Sequence, residues 1–300
     1  MTTDTTHRTA PITTHVAALA FWALLACAAL PSLAAPPDAS TTAAPRHTRE
    51  EETAVIREHH FRRLDTRLAT EPAILRQTCR YESEISTPPP PGRVALSFDD
   101  GPEPGQTDYI LDILARQGIS GTFFLIGEKS SAHPELTARI LASGKHTVGN
   151  HSWSHPNFHA IPPEQQREEI LRYEEPASPG PVKRLFRYPY GNSSCEANEL
   201  LHARGYRIVG WHIDSCDWAF DRNGSIDPKE AISCGVLAQN RHNYVEHVVS
   251  TVRAHRGGIV LMHEIHPNTL ARLEEIIVRL KEEGFLFGAI EDPEFLPSLR

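Results

Sequence analysis

Several patterns that would assign a function directly are missing from this sequence. It has only 5 cysteines, no CxxC pair among them, and no HExxH sequence of the kind that binds zinc in many metalloproteases. Lysine and arginine number 30 against 38 acidic residues, which gives a formal net charge of -8 and no distinct basic patch. These absences argue against a zinc finger, an HExxH metalloprotease and a nucleic-acid partner, and nothing indicates an obligate protein partner.

The N-terminus is short of positive charge and of apolar length. Residues 16–30 form an apolar run that is shorter than the roughly 20 residues needed to span a bilayer, and Arg8 is the one lysine or arginine before it. Small residues that suit cleavage follow near Ala34 and Ala35. We predict that residues 1–35 are a signal peptide, with an uncleaved membrane anchor as the alternative, and that the protein is exported to the periplasm or secreted.

Export makes disulfide bonds possible. Cys27 falls inside the predicted signal peptide, so four cysteines remain, and the sequence does not choose among their three pairings. We expect one or two disulfides, with a free and buried Cys216 as the alternative to its pairing. The four cysteines are Cys79, Cys195, Cys216 and Cys234.

Composition divides the rest of the chain into segments. Residues 36–47 are rich in alanine, proline, threonine and serine, and residues 48–68 carry apolar side chains at helical spacing. We therefore predict a linker with a short helical extension over 36–92, which ends in a stiff run of prolines. Residues 93–290 are predicted to form the main domain, and 291–300 a C-terminal tail.

Short apolar stretches alternate with amphipathic stretches throughout residues 93–290. The former have strand length, and the latter have helical spacing and often end at glycine. This alternation predicts an α/β fold of parallel strands, and about seven strand–helix units predict a distorted (β/α) barrel. The predicted strands are 94–98, 121–126, 146–149, 184–186, 206–211, 258–262 and 285–290. The predicted helices are 107–117, 134–143, 163–173, 195–204, 244–254 and 270–283.

The most informative stretch is the apolar strand 94–98 with the two carboxylates, Asp99 and Asp100, that follow it. In α/β sheets and barrels, catalytic side chains lie at the carboxyl ends of the strands. Two adjacent carboxylates repel each other unless a cation stands between them. The stretch therefore predicts a metal site in which one acid is a ligand and the other a base, with a plain acidic turn as the alternative.

Polar clusters follow two of the next predicted strands. His151 and His155 are four residues apart, so both imidazoles can meet on one face of a helical turn and bind one ion together with Asp100. Arg187 can keep a base carboxylate ionised, and backbone N–H groups in the turn after it can stabilise an oxyanion. A surface arginine beside an ordinary turn is the alternative for this cluster.

Two more clusters follow later strands. Asp214 and Asp217 offer carboxylates that can orient and charge a histidine, and Trp218 offers an aromatic wall for a pocket. His263 ends a predicted strand and can act as a general acid. A satisfied histidine of the core is the alternative for His263.

In order and content, these five clusters resemble the motifs of the polysaccharide deacetylase family, also called the NodB-homology domain or carbohydrate esterase family 4. The resemblance covers roughly residues 93–289. Tyr188 departs from the family, which often has proline there, so we expect a groove wall of different shape. The stretch 258–266 is most similar to the branch that acts on peptidoglycan or chitin-like N-acetylglucosamine. The motifs are 97–102 (SFDDGP), 151–155 (HSWSH), 187–191 (RYPYG), 214–218 (DSCDW) and 261–263 (LMH).

The resemblance implies a role for each motif residue. Asp100, His151 and His155 would hold one divalent metal ion, usually zinc, with cobalt, nickel or manganese as alternatives. Asp99 would be the base that activates water, and Arg187 would hold it in place. The remaining roles are an oxyanion contact from the backbone N–H of Tyr190, a general acid at His263 tuned by Asp217 (or Asp214), and substrate contacts from Trp218, Leu261, Pro189 and Asp214.

The function implied is metal-dependent hydrolysis of N-acetyl groups from N-acetylglucosamine residues of a polysaccharide, with release of acetate. An O-acetyl esterase acting on xylan or another glycan is the nearest alternative. The same residues would catalyse that hydrolysis, in which the leaving group departs more easily than an amine. An inactive carbohydrate-binding protein is the alternative of another class. In each case the expected partner is an acetylated polysaccharide.

Overall fold

The structure is a computed structural model of the chain, and it describes residues 79, 83, 85–174 and 183–300. The predicted signal peptide or anchor at 1–35 and most of the predicted linker and helical extension lie outside the described residues, so both stay predictions. The boundaries of the main domain also stay predictions. Within the described residues, no helix combines the length and the apolar character needed to cross a membrane.

Strands and helices alternate along the main domain, as the sequence predicts. All seven predicted strands and all six predicted helices appear, with ends shifted by up to three residues. The strands are β1 (Arg93–Gly101), β2 (Thr122–Leu125), β3 (Thr147–Asn150), β4 (Leu185–Phe186), β5 (Arg207–Ile208), β6 (Ile213–Asp214), β7 (Gly258–His263) and β8 (Leu286–Phe287). The helices are α1 (Gln106–Gln117), α2 (Gly127–Ala132), α3 (Pro134–Ala142), α4 (Pro163–Leu171), α5 (Cys195–Ala203), α6 (Pro228–Cys234), α7 (Tyr244–His255) and α8 (Pro267–Glu282).

The sheet is parallel and curls into a distorted barrel. Its strand order is β5-β4-β3-β2-β1-β7-β6, with β8 paired to β1. The outer strands β5 and β6 are consecutive in the chain, and the five residue steps from Ile208 to Ile213 reach at most about 18 Å. Seven strands in a flat sheet would place its edges about 29 Å apart. The sheet must therefore curl, and the predicted α/β barrel of about seven parallel strands is confirmed.

Strand β1 is buried on both faces, which explains its nearly continuous apolar sequence. Val94, Leu96 and Phe98 point outward into a core that includes residues of α1, α7 and α8. Ala95 points inward, where it belongs to a second core with Ile259 of β7. The inner and outer layers of the fold therefore meet at this strand.

Apolar side chains from both ends of the described chain fill the barrel at the amino-terminal ends of its strands. Ile85 precedes β1, while Ile290, Phe295 and Leu299 follow β8, and all four belong to the inner core. Arg300 also exchanges two backbone hydrogen bonds with Ile208 of β5, at 2.7 and 2.9 Å. We refer to these four apolar side chains as the plug, and they leave the carboxyl ends of the strands as the accessible end.

Some elements differ from the sequence predictions. The last predicted strand shrinks to β8 and lies beside β1, while the two-residue strand β6, which was not predicted, completes the sheet order. Helices α2 and α6 were also missed, because both are short and polar. Two disulfides, Cys79–Cys195 and Cys216–Cys234, settle the pairing, so the alternative of a free Cys216 is wrong.

Candidate active site

Asp99 and Asp100 lie at the carboxyl end of β1, where the strand is irregular. In a regular strand, consecutive side chains point to opposite faces. Here the pairing with β2 shifts register between Asp99 and Gly101, and Asp100 has a positive φ of 71°. Both carboxylates consequently face one imidazole, since His151 Nε2 lies 3.6 Å from Asp99 Oδ2 and 3.4 Å from Asp100 Oδ1.

His151 and His155 converge through an irregular loop rather than the predicted helical turn, so that detail of the prediction is wrong. Ser152 (φ 67°) and His155 (φ 63°) are both left-handed, and the two imidazole centroids lie 4.9 Å apart. The His155 N–H donates to Ser152 Oγ at 3.0 Å. Both the N–H and the hydroxyl of Ser154 donate to the Glu169 carboxylate of α4, each at 2.7 Å. These bonds fix an unusual backbone that pairs the histidines.

Asp100, His151 and His155 form a group that can hold a metal ion. One ligand atom from each lies within 4.8 Å of the others, and His155 Nε2 is 3.1 Å from Asp100 Oδ1. His151 Nδ1–H donates to the Arg187 carbonyl at 2.8 Å, which leaves the Nε2 lone pair turned toward the acids. Asp100 Oδ1 is buried and has no well-formed hydrogen bond among the described residues. Two nitrogens and one oxygen match a catalytic metal site with open positions.

The charge state of Asp100 suits a ligand. Burial by itself would raise the pKa of this carboxyl. Interactions with His151 and His155 outweigh that effect and lower the pKa of Asp100 far below its usual range. The carboxylate is therefore ionised at neutral pH.

Arg187 crosses the barrel interior and holds Asp99. Its Nη1 donates to Asp99 Oδ1 and to Ser97 Oγ, both at 2.8 Å, and the guanidinium is fully buried. Its Nε and Nη2 donate to the carbonyls of Val209 (3.1 Å) and Gly210 (2.8 Å). Burial lowers the pKa of Arg187, and its ion pair with Asp99 opposes that shift. Because every edge of the guanidinium has a partner, Asp99 is held in one orientation.

The turn Pro189–Gly191 follows Arg187 and borders the same site. Tyr190 has a left-handed backbone (φ 57°), and its ring lies 4.8 Å from that of His155. Its side chain is 65% exposed, whereas Pro189 is buried. The turn places the Tyr190 backbone next to the group that can hold a metal, and the oxyanion role of its N–H stays a prediction.

Asp217 and His263 form a tight pair on the other side of β1. Asp217 Oδ1 accepts from His263 Nδ1 at 2.7 Å, while Oδ2 accepts from the His263 N–H (2.7 Å) and from Thr269 Oγ1 (2.6 Å). Burial would lower the pKa of His263, but Asp217 outweighs it and raises that pKa. Burial would likewise raise the pKa of Asp217, yet His263 lowers it. His263 is therefore a cation at neutral pH.

Strand register brings Asp99 and His263 to the same level. The two residues are paired neighbours across β1 and β7. Both lie on the inner face of the barrel, two residues beyond Ser97 and Leu261, which are also paired. A carboxylate and a protonated imidazole thus flank the group formed by Asp100, His151 and His155.

The remaining predicted residues surround this centre. Asp214 Oδ1 accepts from the Cys216 N–H at 2.8 Å and so stabilises the turn that carries Asp217. Trp218 is 47% exposed, and Leu261 is buried on β7. Asp217 is the carboxylate bonded to His263, and its role in tuning that histidine stays a prediction.

Comparison with known proteins places these features in one family. A family model described as polysaccharide deacetylase matches residues 86–209. A chitooligosaccharide deacetylase of Bradyrhizobium is 31% identical over 211 residues, which cover 64% of this chain and 86% of that protein. The chain belongs to the polysaccharide deacetylase family. The predicted resemblance is confirmed, and with it membership of a family of hydrolases.

Two further polysaccharide deacetylases resemble this chain. The peptidoglycan-N-acetylglucosamine deacetylase PgdA of Listeria monocytogenes is 32% identical over 202 residues, which cover 67% of this chain but only 38% of that protein. The crystal structure of the peptidoglycan N-acetylglucosamine deacetylase Bc1960 superposes with a TM-score of 0.55 at 28% identity, covering 69% of this chain and 89% of that one. The chain thus spans less than half of the Listeria relative and most of the solved structure.

Glu264 borders the site of this polysaccharide deacetylase but is not among the residues predicted from the sequence. The residue follows His263 and is fully buried, and its side chain accepts a very short hydrogen bond from Thr107 Oγ1. Its carboxyl occupies the space that a Cβ on Gly101 would need, at 1.9 Å, so any larger residue there would displace the Glu264 side chain. Burial raises the pKa of Glu264 to about 8. Only its position directly after a motif residue could have drawn attention to it.

Proposed function

We propose that this protein removes N-acetyl groups from N-acetylglucosamine residues of peptidoglycan or a chitin-like polymer and releases acetate. The names of its relatives support this substrate class. The observation that carries the proposal is the placement of Asp99 and His263 on paired positions of β1 and β7, beside Asp100, His151 and His155. A base, an acid and a metal-binding group at one point are what amide hydrolysis needs.

Asp100, His151 and His155 would hold one divalent cation, and we propose zinc. When bound, such an ion polarises a carbonyl and lowers the pKa of water to about 7. The hydrogen bond from His151 Nδ1–H to the Arg187 carbonyl fixes the ring and leaves Nε2 able to bind the ion.

Asp99 would take a proton from the attacking water. Its ion pair with the buried Arg187, at 2.8 Å, holds the carboxylate in one orientation, turned toward the site. The Tyr190 N–H would donate to the acetyl oxygen as negative charge develops on it. Trp218 and Leu261 would shape the space for the acetyl group.

His263 would then protonate the departing nitrogen. An amine leaves poorly without a proton, so the acid must be charged at the working pH. Asp217 provides this condition, since it raises the pKa of His263 and fixes the tautomer with Nδ1–H bound. The C–N bond breaks, the glycan keeps a free amine, and acetate is released.

We also propose that the protein works outside the cytoplasm, in the periplasm or after secretion. Two disulfides support an oxidising compartment, since such bonds are rare in the cytosol. Peptidoglycan and chitin-like polymers also lie outside the cytoplasmic membrane. The N-terminal residue of the mature protein distinguishes a cleaved signal peptide from a membrane anchor. A chain that begins near residue 36 has been cleaved, whereas an anchored chain keeps residues 1–35.

Acetate release by the zinc-loaded protein tests the proposed activity. The substrates are chito-oligosaccharides, peptidoglycan and acetylated xylan, with the metal-free protein as control. We expect acetate from one of the first two, together with an equal amount of free amine. Acetate from xylan alone would replace the proposal by an O-acetyl esterase, and glycan binding without acetate from a zinc-loaded protein would replace it by a binding role.

A further inference from the structure

A second group of metal-ligating side chains lies beside the first in the described part of the chain. Ligand atoms of Asp217, His263 and His266 all fall within 4.8 Å of one another. The rings of His263 and His266 are nearly perpendicular, with centroids 5.2 Å apart. The proposed reaction uses Asp217 and His263 but assigns nothing to His266.

We propose that Asp217, His263 and His266 form a second, weaker divalent-cation site, and that its occupation switches the enzyme off. Two imidazoles and one carboxylate are a donor set that zinc accepts. The inhibition rests on the proposed function, whereas the binding of a second ion does not.

The distance between the Asp217 and His263 ligand atoms is already close to the distance between two ligands of one metal ion. Asp217 Oδ1 and His263 Nδ1 lie 2.7 Å apart and share one proton. Ligand atoms of tetrahedral zinc, at about 2.0–2.2 Å from the ion, are separated by about 3.3 Å. A small outward movement of the imidazole would admit the ion in place of the proton.

Asp217 would remain in position after that exchange. Its Oδ2 keeps two other hydrogen bonds, from the His263 N–H at 2.7 Å and from Thr269 Oγ1 at 2.6 Å. Bonds of this kind orient a metal-binding carboxylate from behind. The buried acid therefore has one oxygen held by the protein and one available to an ion.

His266 provides the third ligand and access from solvent. It is partly exposed at the start of α8, and its side chain makes no capping hydrogen bond there. The residue therefore can turn toward an ion without breaking a helix cap.

Binding would inhibit through the proton that it removes. The Nδ1–H bond of His263 breaks, the proton passes to solvent, and nitrogen binds the ion, without any change in oxidation state. The metal-bound imidazole keeps only its Nε2–H, which is a far weaker acid than the N–H of an imidazolium, so His263 no longer protonates the leaving amine. The same proton makes the second site weaker than the first, because the ion must displace it.

Metal titration of the full-length chain tests the proposal. Wild-type protein and the His266→Ala variant are dialysed against rising zinc, and bound metal is counted per chain by elemental analysis while acetate release is followed. We expect two ions per wild-type chain and falling activity as the second binds. His266→Ala should keep its basal activity and first ion, and should bind the second ion at least about 10–100-fold more weakly, with inhibition shifted equally.

Two further variants make the result decisive. His266→Asn places a good capping residue at the start of α8, so it separates metal binding from helix stability. His242→Ala removes an exposed histidine bonded to Ser225 Oγ and controls for surface binding. One ion per wild-type chain at every concentration, or an unchanged second affinity in both His266 variants, would overturn the proposal. The metal count remains readable even if none of the glycans is a substrate.

Discussion

The two ends of the barrel are built from the same strands but have opposite chemistry. Along the inner face of β1, Ala95 belongs to the apolar core and Asp99 to the site. Along β7 the same change runs from Ile259 to His263. The plug closes the amino-terminal end with apolar side chains, and charged groups occupy the carboxyl end. One strand thus provides stability at its start and chemistry at its end, within four residues.

Loss of the base should produce the largest effect at the carboxyl end. Asp99→Asn keeps the shape of the side chain but removes its ability to take a proton, so kcat should fall by about 10²–10⁴-fold. Zinc content should change little at temperatures where the variant is folded, even though loss of the charge paired with the buried Arg187 lowers the free energy of unfolding. Acetate release and elemental analysis measure the two properties. Asp112→Asn, at an exposed acid, is the matched control, and an Asp99→Asn variant with wild-type kcat would exclude the assigned base.

Loss of the plug should affect stability and leave chemistry intact. Phe295 is fully buried, so Phe295→Ala should lower the free energy of unfolding by about 3–5 kcal/mol. Below the melting transition, kcat should stay near the wild-type value. Denaturant unfolding and acetate release provide the measurements. Leu286→Ala, at a side chain that is 61% exposed, should cost far less, and a large drop in kcat for Phe295→Ala would contradict the separation of the two ends.

The disulfide Cys216–Cys234 joins the catalytic end to α6. Replacing both cysteines with serine opens a loop of 18 residues, which predicts a loss of about 3 kcal/mol in the free energy of unfolding. Cys216 lies directly before Asp217, so kcat should also fall at temperatures where the variant is folded. Unfolding curves and kcat at 25 °C distinguish the two effects. Loss of stability with unchanged kcat would assign the disulfide to the scaffold alone.

The smallest effect on the free energy of unfolding is expected from the protonation of His247, a buried histidine outside the site. Burial lowers the pKa of His247 to about 4, and its Nε2 has no hydrogen-bond partner among the described residues. The unfolded chain, with a pKa near 6.5, binds this proton more readily, so stability falls as pH drops from about 6.5 to 4. The loss should not exceed about 3 kcal/mol.

The variant His247→Gln checks this pH dependence. Its free energy of unfolding should vary less between pH 6.5 and 4 than that of the wild type. His202→Gln, a change of the same kind on α5, serves as a control. If the free energy of unfolding changes equally with pH in the wild type and in His247→Gln, other groups dominate the loss of stability in acid.

Local patterns predicted much of the fold because the strands and helices here are regular. The apolar run before Asp99 and the helix that ends before Gly118 are both visible in the sequence. Strand β6 was missed because two residues have no periodicity, and the plug because Phe295 and Leu299 are separated by turn residues. These elements exist through contacts with distant parts of the chain, which local patterns do not contain.

The features of the candidate site likewise fall into those that local sequence predicts and those that depend on packing. The order of residues specifies which chemical groups are present and that each follows a strand. Parallel strands then bring these groups together, because their carboxyl ends lie at one edge of the sheet. Tertiary packing sets the bulge at Asp100 that turns two consecutive acids toward His151, the path that Arg187 takes through the barrel to Asp99, and the pairing that brings His263 level with Asp99. Register, burial and the shape of irregular backbone depend on the packing of the whole domain, and they convert a set of residues into a site.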